Sequence, residues 1–310
     1  MSTKKSNMSF LPITTLVVLI SFLLGMYTQQ LLYKNDKSTS ITSNSSNPSP
    51  ANTGPDLDKL QGEVLPKSGY KFNIRWGDLG KRMVDDGVID DVKLAKALTG
   101  TEKIPENLRK YLDGTDQKQI EINAENSQFW VDILWGLGLA NKNRILDEGP
   151  MREGGNTANF ASTGGWTIGK LLPMDIYSKF SYIPLSENQQ VIVKEIAENV
   201  YRPCCGNSTA FPDCNHGMAA LGLIELMVYQ GKSKDEIYKT VLAFNSYWFT
   251  QTYYDIAYHF AKNGKNYKDV SPKEILSKTF SSGMGYQAIK KQIGDVNWPA
   301  LQRGGGSCGA

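Results

Sequence analysis

Apolar positions recur at helical spacing through most of the chain beyond Asp56. Several of these segments begin at a polar residue that can cap a helix and end near glycine or proline. Ser-x-x-Gln/Glu capping boxes stand at Ser186 and Ser233, and Ser271 begins a third with proline at the first helical position. No alternating strand pattern extends beyond a few residues, and no internal repeat is found. The pattern predicts a mainly α fold, a single irregular helical bundle with long loops.

One predicted helix is apolar on almost every side. Residues 218–229 contain a single charged residue, Glu225, so we expect this helix in the middle of the fold. Asp213 is predicted to cap its N-terminus, and Gly231 to follow its last turn. Burial requires Glu225 either to pair with a buried Lys or Arg or to be protonated.

Three other segments complete the predicted soluble region. Residues 77–86 and 90–98 predict two short helices, the second capped by Asp90, and Ser127 can cap a longer apolar helix. The glycine-rich segment 153–169 lacks both the residue order of a P-loop and the GxGxxG spacing. We interpret it as a surface loop with tight turns rather than a ligand-binding loop.

The N-terminal segment has a different pattern. No charged residue lies between Ser6 and Tyr33, and the apolar centre, residues 10–27, is long enough to cross a hydrocarbon core of about 30 Å as a helix. The stretch is followed neither by a small-x-small cleavage site nor directly by a cysteine, which disfavours a cleaved signal peptide and a lipoprotein. We therefore predict an uncleaved, single-pass transmembrane anchor over residues 10–33, with the membrane as a partner.

The segments around the anchor indicate its orientation. Residues 38–55 are rich in Ser, Thr, Asn and Pro without an aromatic residue, so we expect them to stay disordered. Such a spacer is typical of a domain lifted off the outer face of a membrane, whereas lysines on both sides of the anchor give only a slight bias. The predicted parts are a cytoplasmic tail 1–9, the anchor 10–33, a linker 34–56, an extracytoplasmic helical domain 57–302 and a glycine-rich, cysteine-containing tail 303–310.

Composition narrows the classes of function. The 310 residues are 40% apolar and 21% charged, which is ordinary for a globular protein. The formal net charge is +3, and basic residues are mixed with acidic ones without a basic arm, so nucleic acid is not an expected partner. No Ser-His-Asp order, nucleophile elbow or carboxylate pair stands out. The sequence therefore favours a non-enzymatic role without deciding it, and it indicates no particular protein partner.

The candidate chemistry lies in a turn-rich loop before the apolar helix. The loop brings together Cys204, Cys205, Cys214 and His216. Cys214 and His216 are predicted in the first helical turn, where free N–H groups and the helix dipole favour a thiolate. Three sulfurs and one imidazole can supply a four-coordinate site for zinc or copper(I). Cys308, in the glycine-rich tail, is predicted as an accessory ligand.

The same cysteines allow two other interpretations. Four cysteines outside the cytoplasm can form two disulfides, in three pairings. Because adjacent cysteines cannot easily bond to each other, Cys204 and Cys205 would each pair with Cys214 or Cys308. The alternatives are thus a disulfide-stapled interaction domain without catalysis and a thiol enzyme that uses Cys214. Disulfides give no reason for His216 to lie beside Cys214, so metal binding is the preferred hypothesis.

A local motif surrounds these cysteines. It consists of Pro203-Cys-Cys-Gly, Ser208, Asp213-Cys214, His216-Gly217 and Gly231-Lys-Ser-Lys-Asp-Glu-Ile237. Over residues 203–237 the chain resembles the bacterial PCYCGC-motif lipoproteins. The chain lacks the tyrosine and one cysteine of that family's core motif, its second cysteine pair and its lipidation cysteine. The resemblance implies a secreted, membrane-tethered protein that binds metal through Cys204, Cys205 and Cys214.

Overall fold

The structure, a computed structural model, describes residues 54–115 and 117–302. The predicted anchor 10–33, the linker up to residue 53 and the tail with Cys308 lie outside the described residues. Within the described ranges, no helix is both long and apolar enough to cross a bilayer. The described part is mainly helical, as the apolar spacing predicts.

The described elements are helices and one small two-stranded sheet, whose strands are separated in the chain by three helices. In chain order they are α1 Leu57–Val64, β1 Tyr70–Phe72, α2 Leu79–Asp85, α3 Asp91–Thr99, α4 Glu106–Arg109, β2 Ile120–Ile122, α5 Ser127–Ala140, α6 Arg144–Glu148, α7 Ala161–Gly164, α8 Pro173–Ile176, α9 Glu187–Glu198, α10 Asn215–Tyr229, α11 Lys234–Trp248, α12 Thr250–Lys262, α13 Pro272–Ile275, α14 Lys278–Ser281, α15 Gly283–Ile293 and α16 Pro299–Gln302. Short 3₁₀ turns occupy Pro150–Arg152, Thr157–Asn159 and Tyr267–Asp269. Strands β1 and β2 are antiparallel, with Tyr70 opposite Ile122.

Helices α5 and α10 form the centre of the fold. Every residue of α10 from His216 to Val228 is buried, so the predicted central helix is confirmed. The two helices meet at Gly138 and Gly222, where a Cβ on Gly138 would lie 2.1 Å from the carbonyl oxygen of Met218. The backbones approach so closely that only glycine fits at this crossing. The close approach fixes the position of α10, and hence of the loop that leads into it.

A second apolar cluster joins α1, α12 and α15. Its polar centre is the fully buried carboxylate of Asp255, which accepts hydrogen bonds from Trp298 Nε1 at 2.7 Å and from the Tyr286 hydroxyl at 2.9 Å. Lys290 Nζ lies 3.3 Å from the same carboxylate. These contacts tie the C-terminal helices to α12, because a buried carboxylate needs its partners to remain in place.

Local capping was largely predictable. The Asp90 side chain accepts from two backbone N–H groups at the start of α3, as predicted. The boxes at Ser186 and Ser233 both form, with their reciprocal hydrogen bonds. Ser271 differs, because its side chain makes no capping hydrogen bond and α13 is a single turn.

The glycine-rich segment is more buried than a surface loop. Ser162, Thr163 and Trp166 are all buried within it. Trp135 Nε1 of α5 donates to the Ser162 carbonyl at 2.6 Å, and the Ser162 N–H donates to the carbonyl of Asp213 at 3.0 Å. The prediction of a surface loop is therefore wrong around Ser162, where the chain packs between α5 and the start of α10.

Glu225 is fully buried without a cation among its described hydrogen-bond partners. Its two carboxylate oxygens accept from the side-chain amides of Asn141, at 2.8 Å, and Asn143. The amide oxygens of these asparagines accept from the N–H groups of Ile183 and Ile145, which fixes both amides in orientation. Burial raises the pKa of Glu225 to about 8, while the two amide donors act in the opposite direction. Of the two expected outcomes, pairing with a buried Lys or Arg and protonation, the structure favours protonation of Glu225 at neutral pH.

Candidate metal-binding site

The cysteines lie in the loop between α9 and α10. The part of this loop that contains Cys204 and Cys205 is closed by an antiparallel bridge between Tyr201 and Ser208 and by a hydrogen bond from the Thr209 N–H to the Val200 carbonyl at 2.8 Å. Turn-forming residues within the loop make this compact path accessible to the chain. Backbone hydrogen bonds and turns therefore restrict the shape of this part of the loop.

Arg202 organises the inside of this loop. Its side chain is 1% exposed and donates to the carbonyl oxygens of Asn207, at 3.0 Å, and Phe211, at 3.2 Å. The Nη2 atom lies 2.5 Å from Asp213 Oδ1, and Nε donates to Cys214 Sγ at 3.0 Å. A planar guanidinium with several fixed donors can satisfy all four groups at once. One buried cation thus links both ends of the loop.

The start of α10 differs from the prediction. Cys214, rather than Asp213, is the N-cap residue, and its Sγ accepts from the Gly217 N–H at 3.3 Å. The Asp213 carboxylate instead accepts from Arg202 and from Asn207 Nδ2, at 2.9 Å. Asp213 has the stronger partner in a buried guanidinium, so it is drawn away from the helix end. The cysteine sulfur takes its place as the capping acceptor.

Three sulfurs converge at this helix end. Cys204 Sγ lies 3.5 Å from Cys214 Sγ and 3.4 Å from Cys205 Sγ. All three sulfurs lie within 4.8 Å of one another and can hold a metal ion. They are free thiols, since a disulfide would require a sulfur–sulfur distance of about 2.0 Å. The predicted convergence of these cysteines is therefore present.

The three sulfurs differ in their affinity for protons. Hydrogen bonds from Cys204 and Cys205, together with the charge of Arg202, hold the pKa of Cys214 well below its usual range. The pKa of Cys204 is raised, chiefly by its hydrogen bonds with Cys205 and Cys214 and by burial. Cys214 is therefore the most acidic thiol of the cluster, and the neighbouring thiols donate hydrogen bonds toward its sulfur.

His216 lies next to the cluster but faces a different environment. Its ring packs against Phe249, with centroids 4.5 Å apart, and against Trp248, at 5.7 Å. Burial lowers the pKa of His216 to about 4, so the imidazole is neutral at pH 7. Its ring nitrogens are not among the ligand atoms that gather within 4.8 Å. The roles of His216 as fourth ligand and of Cys308, outside the described residues, stay predictions.

The outer edge of the loop is supported by α15. The Gly283 N–H donates to the Cys205 carbonyl at 2.8 Å, and a Cβ on Gly283 would lie 3.2 Å from the Pro203 carbonyl oxygen. Cys204 is exposed beside this contact. The backbone of the two adjacent cysteines is thus fixed, while one sulfur stays accessible to solvent.

Sequence reasoning did not identify Arg202 or Gly217 as part of the site. A Cβ on Gly217 would lie 2.5 Å from Cζ of Arg202, so the guanidinium fits only because this residue is glycine. The one available signal was the position of Arg202, two residues before Cys204, since a nearby cation stabilises a thiolate. Gly217 meets Arg202 only when the loop closes, and the residues next to Gly217 in the sequence do not indicate this contact.

The chemistry of the site rests on its own geometry: three sulfurs, one buried guanidinium and the N-terminus of a buried helix. This combination can supply a thiolate nucleophile or three soft ligands. No known protein family, curated protein or solved structure matches the chain.

Proposed function

We propose that this protein binds a soft, thiophilic ion through Cys204, Cys205 and Cys214. The observation that carries the proposal is the approach of three sulfurs, at 3.4 and 3.5 Å, in a loop fixed by Arg202. Thiolates are the preferred protein ligands of zinc and copper(I), the ions predicted from the sequence. The low pKa of the Cys214 thiol supports binding, because its proton is released more readily when the ion arrives.

The role proposed for this site is metal handling, namely sequestration, sensing or delivery, at the outer face of a membrane. The apolar segment 10–33 and the polar spacer that follows it support a single-pass anchor with the helical domain outside the cytoplasm. The resemblance of residues 203–237 to membrane-tethered PCYCGC-motif proteins is in keeping with this placement. A reporter fused after Ala310 tests it, since activity of a cytoplasmic reporter would contradict the proposed orientation.

A thiol enzyme that uses Cys214 is the second candidate. It is favoured by the Arg202 guanidinium and the Gly217 N–H, which both donate to the Cys214 sulfur. Donors of this kind keep a cysteine in its nucleophilic form. With a disulfide as the substrate and oxidant, Cys214 would form a mixed disulfide and release one substrate thiol, and the thiol of Cys204, 3.5 Å away, is placed to attack the Cys214 sulfur and release the second.

Metal analysis of the full-length protein tests the main proposal. The chain is purified with a reductant, loaded separately with Zn²⁺ and copper(I), and freed of unbound ions by gel filtration. We expect one equivalent of ion in the wild type and a strong loss in the Ser variants of Cys204, Cys205 and Cys214. Cys308→Ser is the matched control, for which we expect a smaller effect because ordering a glycine-rich tail costs backbone entropy.

Three results separate the alternatives. Reduced wild-type protein without bound ion, or Cys214→Ser with unchanged ion content, would contradict metal binding at this cluster. Rapid alkylation of Cys214 in such an ion-free protein would instead support the thiol enzyme. Recovery of two or four additional thiols only after reduction would support the disulfide-stapled domain.

A further inference from the structure

The spacing of the three sulfurs narrows the kind of ion that fits them. Tetrahedral zinc–thiolate coordination, with Zn–S bonds near 2.3 Å, separates its sulfurs by about 3.8 Å. Two of the three separations are shorter, at 3.5 Å between Cys204 and Cys214 and 3.4 Å between Cys204 and Cys205, and the third, between Cys205 and Cys214, is within 4.8 Å. A small trivalent ion with a lone pair binds three sulfurs on one side, at angles closer to a right angle, and so brings them nearer to one another.

The number of ligands also favours a pyramidal ion over a tetrahedral one. Among the described residues, three cysteines and no further His, Asp or Glu form the group of ligand atoms within 4.8 Å. The imidazole of His216 packs against the rings of Trp248 and Phe249, and its nitrogens lie outside this group of ligand atoms. A tetrahedral ion would need a fourth ligand here, whereas a pyramidal ion fills that position with its lone pair.

Charge provides a third, independent argument. Arg202 is the cation whose charge acts on the sulfurs, and it is already paired with Asp213 at 2.5 Å. The pair leaves little net positive charge to offset an anionic complex. Three thiolates around a divalent ion carry one net negative charge, and around a monovalent ion two, but around a trivalent ion none. A partly buried site favours the neutral complex, because desolvating a net charge is costly.

We propose that Cys204, Cys205 and Cys214 bind arsenic(III), supplied as its neutral hydroxide, as a pyramidal three-thiolate complex. This inference rests on the proposed function, since it requires the three sulfurs to act together as ligands. Arsenic is the member of its group small enough for sulfurs at 3.4 and 3.5 Å, because its heavier relatives have longer bonds to sulfur.

The binding step is a condensation without any change in oxidation state. Each of three As–O bonds breaks, an As–S bond forms in its place, and each hydroxyl group leaves as water. Each thiol supplies the proton that leaves with one hydroxyl group as water, and for a sulfur that is already ionised this proton comes from solvent. Cys204, which is exposed, is the first sulfur that an incoming hydroxide meets, and the more buried Cys214 closes the complex.

The test uses the full-length reduced protein and sodium arsenite as the probe. Intact-complex mass spectrometry distinguishes arsenic that has lost all three hydroxyl groups from arsenic that keeps one, and X-ray absorption counts the sulfur neighbours. We expect one arsenic per chain, three sulfur neighbours and no retained hydroxyl. Isothermal titration of the Ser variants of the three cysteines should show affinity weakened by about tenfold or more, equivalent to about 1.4 kcal/mol. Gly206→Ala, where a Cβ meets no atom within 4 Å, should bind as the wild type does.

Phenylarsine oxide, which has two exchangeable positions, provides a matched probe. A three-sulfur site should bind arsenite the more tightly of the two, whereas a two-sulfur site gives arsenite no such advantage. Two sulfur neighbours, unchanged affinity in Cys214→Ser, or loss of binding in Cys308→Ser would each overturn the inference. If Zn²⁺ or copper(I) binds through the three cysteines and arsenite does not, the inference fails and the proposed function stands. If none of these ions binds, both fail.

Discussion

The Nε atom of Arg202 donates a hydrogen bond to the Sγ atom of Cys214 at 3.0 Å. This contact joins the first turn of the loop to the N-cap residue of the buried helix α10. The same guanidinium also satisfies two loop carbonyls and the Asp213 carboxylate. Arg202 therefore contributes both to the shape of the loop and to the low pKa of the Cys214 thiol, so a change in either should be measurable in the other.

The first prediction concerns the acidity of Cys214. Replacing Cys204 by alanine removes the hydrogen bond that contributes most to the low pKa of the Cys214 thiol, so this pKa should rise. The pH dependence of iodoacetamide alkylation, followed at Cys214 by peptide mass spectrometry, measures the shift. Alkylation of wild-type Cys214 should persist at pH values where an ordinary thiol is protonated. Cys308→Ala should leave the profile unchanged, and a wild-type profile like that of a free thiol would contradict the assignment.

The second prediction uses two glycines of the same region. In Gly217→Ala the new Cβ would lie 2.5 Å from Cζ of Arg202, which must move away from Cys214. We expect a loss of stability of about 1–3 kcal/mol, slower alkylation of Cys214 and weaker ion binding, although no ligand is altered. Gly206→Ala is the control, because a Cβ there meets no atom within 4 Å. Urea unfolding and ion content should separate the two variants, and equal behaviour would contradict the proposed role of Gly217.

The third prediction decides the role of His216. Its imidazole lies against Trp248 and Phe249, and its buried Nε2 has no hydrogen-bond partner among the described residues. Because the ring fills apolar space, His216→Ala should cost about 1–3 kcal/mol of stability. Ion content per folded chain should stay at the wild-type level. Stoichiometric loss of the ion in folded His216→Ala protein would restore His216 to the ligand set, as the sequence predicts.

The fourth prediction concerns Glu225 and pH. Its pKa is raised from 4.5 to about 8 in the folded protein, so between these values the folded state holds a proton that the unfolded state has released. The carboxyl group therefore reduces stability progressively as pH rises from about 4.5 to 8, with a limiting slope of about 1.4 kcal/mol per pH unit.

Urea denaturation at pH 5 and pH 8 provides the measurement for this group. In Glu225→Gln the loss of stability between the two pH values should be smaller than in the wild type, since the variant has no proton to release. Glu274→Gln, at an exposed position of α13, should retain the wild-type dependence. The same pH dependence in Glu225→Gln and the wild type would show that Glu225 does not titrate in this range.

Local patterns in the sequence were sufficient for the helical class, the central position of α10 and the capping boxes at Ser186 and Ser233. These features depend on residues a few positions apart, whose spacing on a helix is fixed by its geometry. The gathering of Cys204 and Cys205 near Cys214 was also predictable, because proline and glycine turns shorten the path between them. The sequence by itself thus located the candidate site within one loop.

Only the tertiary structure decided how that loop is arranged. Local preference favoured Asp213 as the helix cap, but the buried Arg202 takes its carboxylate and leaves the sulfur of Cys214 to cap the helix. The ring of His216 packs against that of Trp248 at the end of α11, a contact that the sequence did not indicate. Glu225 was expected to pair with a cation or to be protonated. In the structure its carboxyl group accepts hydrogen bonds from the side-chain amides of Asn141 and Asn143, in the chain after α5. Each of these outcomes depends on segments that are distant in sequence and meet only when the helices pack, so a short-range pattern does not contain them.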